Sequence, residues 1–354
     1  MAAESRVDVT GKPAAAPPTP ADEPDGWRRL RPATPWAIGA IAVLAVIALQ
    51  TQLYSGQVRT VSTVLMFIAL AQSWNILGGF TGYASFGQVA FFGLGGYSTA
   101  VLMAKAGLSY WMALPLSAVI AAAFAAVIGL PLLRLRGHYF AIATLGVAEG
   151  LREIVINVPR LTGGGAGISI PVVGKHASTA YLGNDTFYIV FLVVAAATTV
   201  LVGVLSRSRL GYGLRAIRQD EAAAAAAGID TTRAKVTALV LSAFCTGLVG
   251  SVYAFQQVTI YPERLFDVQI TLLMVMMVVI GGSGTVLGPI IGATALQALS
   301  EYLRANFTEV HTFILGAIII AAVIILPQGA VFFIRDAWRT RRLPLLDNVR
   351  TYRL

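Results

Sequence analysis

The chain has 354 residues, 56% of them hydrophobic and 12% charged, with a mean hydropathy of +0.73. Soluble domains carry roughly 25% charged residues, so the composition excludes a soluble enzyme, a nucleic-acid binder or a disordered protein and predicts a polytopic membrane protein. The formal net charge of +9 reads as basic loops on one side of a membrane, and the lone Cys245 excludes an internal disulfide framework and reads as a small buried hydrophobe.

Residues 1–35 are rich in Pro, Ala and charge and lack an apolar run. They read as a disordered cytoplasmic tail, not a cleavable signal, because the first apolar run starts only at Trp36. That run follows Arg28, Arg29 and Arg31, the arrangement of a retained signal anchor.

A helix needs ~20 apolar residues to cross the ~30 Å hydrocarbon layer. Such runs fall at about 36–54, 59–79, 87–106, 110–133, 138–158, 186–206, 236–257, 268–286, 288–304 and 312–334. The expected fold is therefore all-α, with about ten transmembrane helices spread over 36–334. Gly, Gln and Ser interrupt 87–106 and 288–304, so eight spans plus two re-entrant pieces is the alternative. With both termini cytoplasmic, the inside segments, including the basic tail 335–354, hold 19 of the 26 Lys and Arg, and the outside segments 6. That bias sets the orientation.

Two segments break the apolar pattern. Residues 78–97 contain seven glycines, and residues 281–292 read Gly-Gly-Ser-Gly-Thr-Val-Leu-Gly-Pro-Ile-Ile-Gly. Leu77-Gly78-Gly79 answers Ile280-Gly281-Gly282, which suggests two structural repeats with one broken helix in each. Broken backbone at membrane depth lines a cavity or is buried in protein, and tight helix packing through small residues is the other reading. On the cavity reading, the substrate path takes Asn75, Gly82, Tyr83, Ser85, Gln88, Tyr97, Gly282, Ser283, Gly284 and Thr285. These are neutral groups and bare backbone suited to a zwitterion.

Charges inside the spans are few. Glu149 and Arg152, at i and i+3 with Glu153 beside them, form either a functional pair or a structural one near the outer end of their helix. Residues 207–235 form the longest charged internal loop. Ala216–Ala227 is strong helix former throughout, Gly228 suits its C-cap, and Asp230 or Thr231 suits the next N-cap. The resulting surface helix presents Arg215, Arg218 and Glu221, and its alanine face suits a groove of another protein.

Catalytic and metal motifs are missing. There is no Walker A sequence, H-E-x-x-H, C-x-x-C or G-x-S-x-G, and the three histidines are scattered. The sequence predicts no enzyme activity, no metal and no cofactor.

Glu221-Ala222-Ala223, four residues and Gly228 resemble the EAA-type coupling loop of ATP-binding cassette importer permeases. Five further stretches, in order, resemble the branched-chain amino acid permeases. They are Trp74-Asn75-Ile76-Leu77-Gly78-Gly79 through Phe91-Phe92-Gly93, Leu133-Arg134-Leu135-Arg136-Gly137-His138 through Gly146, Leu161-Thr162-Gly163-Gly164, Gly281-Gly282-Ser283-Gly284, and Leu326-Pro327-Gln328-Gly329. The resemblance covers about residues 60–335 and is closest to the larger of two paired permeases. His138 stands where an acidic or small polar residue is frequent in the family. The resemblance implies a multi-pass plasma-membrane permease for Leu, Ile and Val. Its implied partners are a second permease, two ATPase subunits that hold the ATP, and an external binding protein. It also implies that Arg215, Arg218, Glu221, Ala222, Ala223 and Gly228 form the ATPase-coupling loop. Urea or short-chain amides are the alternative substrates. An ion-coupled transporter using Glu149 is the alternative class.

Overall fold

The computed structural model describes residues 55–172, 179, 181–307, 310–325 and 329–333. The N-terminal tail, the run at 36–54, the loop position Lys175, residues 326–328 and the C-terminal tail lie outside them. The described residues are almost entirely helical. Helix α1 spans Ser55–Trp74 and continues as a π-helical turn over Asn75–Gly79. Then come α2 (Gln88–Ala104), α3 (Tyr110–Leu132), α4 (His138–Asn157) and the short α5 (Pro159–Thr162). A second group holds α6 (Asn184–Arg207), α7 (Arg209–Gln219), α8 (Glu221–Ala226) and α9 (Thr231–Gln257). The chain continues with α10 (Pro262–Leu265), α11 (Val268–Gly281), α12 (Leu287–Asn306) and α13 (His311–Ile325). One two-residue ladder, Ile168–Ser169 antiparallel to Thr259–Ile260, ties the loop after α5 to the end of α9.

Each apolar run from the second to the tenth overlaps a helix among these elements, although the eighth outlasts α11, which ends at Gly281, and the tenth continues past α13, which ends at Ile325. Among the described residues, five helical stretches are long and apolar enough to cross a membrane: Gly56–Gly79, Tyr110–Leu132, Asn184–Arg207, Thr231–Gln257 and Pro262–Gly281. Gln88–Ala104 and Phe313–Ile324 are apolar but shorter.

Helix α9 is the core. Its buried positions run from Ala234 to Phe255 and include Cys245, which is a free thiol packed among apolar neighbours. Small residues let other backbones come close. A Cβ on Gly95 would lie 2.3 Å from the Gly247 carbonyl, and one on Gly250 would lie 2.1 Å from the Phe92 carbonyl. α2 and α9 therefore touch backbone to backbone, a packing mode that suits a membrane, where apolar burial gives helices little reason to associate. Polar groups fasten the same contacts. Gln88 Nε2 donates to Ser242 Oγ and Thr246 Oγ1 at 2.7 and 2.6 Å, Ser242 Oγ donates to Ser73 O at 2.6 Å, and Thr99 Oγ1 donates to Ser251 Oγ at 2.7 Å. α3 buries Ala113, Ala118, Ala121 and Ala125 and leaves Trp111 and Val127 exposed, the asymmetry of a helix with one lipid-ready side.

Candidate functional site

The first break begins with the π-helical turn. Trp74 lays its indole where a Cβ on Gly78 would sit, at 2.4 Å, and its Nε1 donates to Ser85 O at 2.8 Å. The chain after Gly79 is thereby folded back against its own helix. Asn75 runs along the turn over Gly79, where any Cβ would meet its Oδ1 at 1.8 Å. Gly82, with φ +75°, then turns the chain toward α2.

The second break follows α11. Gly282 and Gly284 have φ of +123° and +77°. Thr285 Oγ1 donates to Gly282 O and accepts from Gly288 N, restarting the chain into α12. The two breaks meet through one side chain: Asn75 Oδ1 accepts from Gly284 N at 2.9 Å, and its Nδ2 donates to Thr285 O at 2.8 Å. One turn earlier, Gln72 Nε2 donates to Val286 O at 2.7 Å. Backbone groups freed by unwinding are thus satisfied by amide side chains of α1 and of the π-helical turn that continues it, as burial demands. Among the residues of the first break, Asn75, Ser85, Gln88 and Tyr97 are buried within the fold, and Ser85 Oγ, Gln88 Oε1 and Tyr97 OH have no hydrogen-bond partner among the described residues.

The basic loop differs from its expected form. The alanine-rich helix is not continuous. Asp220 takes extended backbone (φ −157°, ψ 114°) and its carboxylate accepts from Ala222 N and Ala223 N, ending α7 and capping α8. Alanine propensity favours one helix here, but an aspartate that caps from outside outweighs it. α8 ends in a Schellman motif: Gly228 has φ +87°, its N–H reaches Ala225 O, and Ile229 N–H reaches Ala224 O. Asp230 caps α9 through Arg233 N. A Cβ at Gly228 meets nothing, so only backbone strain opposes a side chain there. Gly228→Val is expected to cost the cap about 1–2 kcal/mol and to lower uptake while membrane insertion persists; full uptake by this variant would detach the cap from function.

Four charged members of this loop, Arg215, Arg218, Glu221 and Lys235, bond back onto the body of the protein. Arg218 Nη1 donates to Gly79 O at 2.6 Å and its Nη2 to Ser283 Oγ at 3.1 Å, so one guanidinium holds both breaks. Arg215 instead closes the end of α6 by donating to Ser206 O, and also donates to Gly211 O one turn back in its own helix. Glu221 bonds Lys235 Nζ at 2.6 Å, accepts from Tyr83 OH, and has Arg136 Nε at 3.7 Å. Lys235, only 3% exposed, also donates to Leu133 O and Tyr83 OH, both at 3.2 Å. Burial opposes charge on Glu221, but Lys235, Tyr83 and Arg136 outweigh it and hold the carboxyl below its usual range. The outward face of α8 is left to Ala222, Ala223, Ala225 and Ala226. Between the first break and α7–α8 lies a cavity of about 510 Å³, lined among others by Gly82, Tyr83, Phe86, His138, Arg218 and Glu221. Nothing local in the sequence marks Lys235 as a site residue, since its partners stand 14, 102 and 152 positions away.

Residues 54–323 match the family described as "Branched-chain amino acid transport system / permease component". Over 313 residues the chain is 33% identical to the "High-affinity branched-chain amino acid transport system permease protein LivM" of Salmonella typhimurium and to that of Escherichia coli; each match covers 82% of this chain and 73% of the relative. A "Probable branched-chain amino acid transport permease protein LivM" of Methanocaldococcus jannaschii is 26% identical over 181 residues, covering 51% of this chain and 52% of the relative. No solved structure matches. The apolar helices and these relatives make the chain a multi-pass membrane protein, and it belongs to the branched-chain amino acid transport permease family.

Proposed function

We propose that the chain is one of two permeases in an ATP-binding cassette importer that moves Leu, Ile and Val through the plasma membrane. Ten spans arranged in two repeats, with both termini cytoplasmic, complete this reading. An external binding protein delivers the substrate, and two ATPase subunits bind and hydrolyse the ATP. The alanine face of α8 docks on an ATPase subunit, where the lack of long side chains permits close approach. The cavity beside Gly82 and Tyr83 forms the cytoplasmic end of the path. The observation that carries the reading is Arg218, which joins the end of α7, just before α8, to Gly79 in one glycine break and Ser283 in the other. A displacement of α7–α8 therefore pulls on both breaks together, as coupling to an external motor requires. Substrate identity rests on what the relatives are named for. The test is uptake by the complex reconstituted in vesicles. Leucine should accumulate with ATP when the proton gradient is collapsed, and should not accumulate with a gradient but no ATP. The reverse pattern would replace this reading by an ion-coupled carrier.

A further inference from the structure

The outward face of α6 is one continuous stripe. Ile189, Val193, Ala197, Val200 and Val204 are exposed at helical spacing, and Arg207, also exposed, is the next residue on the same face. α6 is one of the stretches long and apolar enough to cross a membrane. Its 24 residues measure about 36 Å along the axis, against a hydrocarbon layer of about 30 Å. An aliphatic stripe therefore runs along a spanning helix and ends in an arginine at its last residue.

The chain turns at Ser208 and brings more positive charge to the same place. Ser208 Oγ donates to Leu205 O and accepts from Gly211 N, so α7 starts against the end of α6. Arg209, Tyr212 and Arg215 lie on one side of α7, opposite the buried Gly211, Leu214 and Ile217. Arg215 reaches back to Ser206 O at 2.5 Å, and its guanidinium lies 4.6 Å from the centre of the Tyr212 ring. With a further bond to Gly211 O it has used two of its five N–H groups. An exposed tyrosine among arginines at the end of an apolar helix is the composition of a membrane interface. The carboxylates of the loop are engaged elsewhere: Asp220 caps α8, Glu221 holds Lys235 and Asp230 pairs with Arg233. Among the described residues no ion pair involves Arg209 or Arg215.

We propose that the junction of α6 and α7 binds an anionic phospholipid, with Arg207, Arg209 and Arg215 meeting the headgroup phosphate and the aliphatic stripe of α6 meeting the acyl chains. A lipid fits both halves of this surface at once, cationic on one side of Arg207 and apolar on the other. A face of an ATPase subunit would match only the charged half. α7 also carries Arg218, which holds both glycine breaks. A headgroup that fixes α7 to the end of α6 therefore steadies the element that joins them. The proposal goes beyond the transport reading above and needs only that α6 crosses the bilayer.

The test uses the full chain in its purified complex, titrated with phosphatidylglycerol or phosphatidylcholine and read by native mass spectrometry. The unsubstituted complex is expected to prefer phosphatidylglycerol. Arg209→Gln is expected to weaken that preference by about fivefold, the contribution of one basic residue beside an anionic surface, and Arg209→Lys to keep most of it. Inorganic phosphate is not expected to displace the lipid, because it offers nothing to the α6 stripe; displacement by phosphate would leave an anion site and overturn the lipid assignment. Equal affinity for the two lipids overturns the proposal, as does an unchanged preference in Arg209→Gln. If Arg209→Gln loosens an ATPase subunit while the lipid preference stays, the face belongs to that subunit and the proposal falls. Lipid binding is read without transport, so a complex that fails to move leucine counts against the permease reading and not against this site.

Discussion

Glu221→Ala is expected to abolish uptake while leaving the chain inserted. The side chain is the counter-ion of Lys235, which is 3% exposed and reaches no other carboxylate among the described residues. Removing one partner of a buried pair typically costs about 3–5 kcal/mol, because the remaining charge is stranded. Here the loss falls on α8, which is six residues long and has little else to hold it to the body. Amide exchange over Ala222–Ala226 is expected to accelerate by about two orders of magnitude, with exchange in α9 beyond its first turns unchanged. The double change Glu221→Leu with Lys235→Met should restore much of the docking, since apolar groups of similar volume often replace a buried pair without loss. If α8 keeps its protection in Glu221→Ala, the ion pair does not anchor it. If protection is lost and uptake persists, α8 does not transmit motion.

The second large effect concerns the crossing of the two breaks. Asn75→Leu removes the acceptor for Gly284 N–H and the donor for Thr285 C=O. Each backbone group left unsatisfied costs about 1–3 kcal/mol, so the pair approaches the whole margin of a typical domain. Lowered thermal stability is the expected result, read by the melting temperature of the purified protein. Asn75→Asp keeps the acceptor but sets a carboxylate against the Thr285 carbonyl, and should be nearly as harmful. Stability within 1 kcal/mol of the parent in both variants would mean that the breaks are held by their glycine backbones alone.

Much of this was legible in the sequence, for physical reasons that differ from place to place. Apolar runs mark the helices because twenty residues of one character leave few alternatives. Gly228 and Asp230 announce their caps because few residue types suit those positions. The pairing of Gly78-Gly79 with Gly281-Gly282 pointed to two related breaks, and the structure brings Asn75 onto Gly284 and Thr285. The break at Asp220 was hidden by the alanines around it, whose propensity argues for one helix. The link between Tyr83, Glu221 and Lys235 was invisible, because nothing local marks a contact between residues 138 and 152 positions apart.

The lysine at the start of α9 also sets an order on biogenesis. Its ammonium has three protons, and they go to Glu221, to the Tyr83 hydroxyl and to the Leu133 carbonyl. Tyr83, Leu133 and Glu221 all leave the ribosome before Lys235. Until the first turn of α9 exists, Glu221 lacks its main counter-charge and α8 lacks its anchor. The nascent loop between α6 and α9 therefore stays in water while the earlier helices insert, and it closes onto them only when α9 arrives. A chain truncated before residue 235 and released into the membrane should expose this loop to protease, and one that extends through α9 should protect it. A single late residue thus serves as the check that three earlier segments have reached their places.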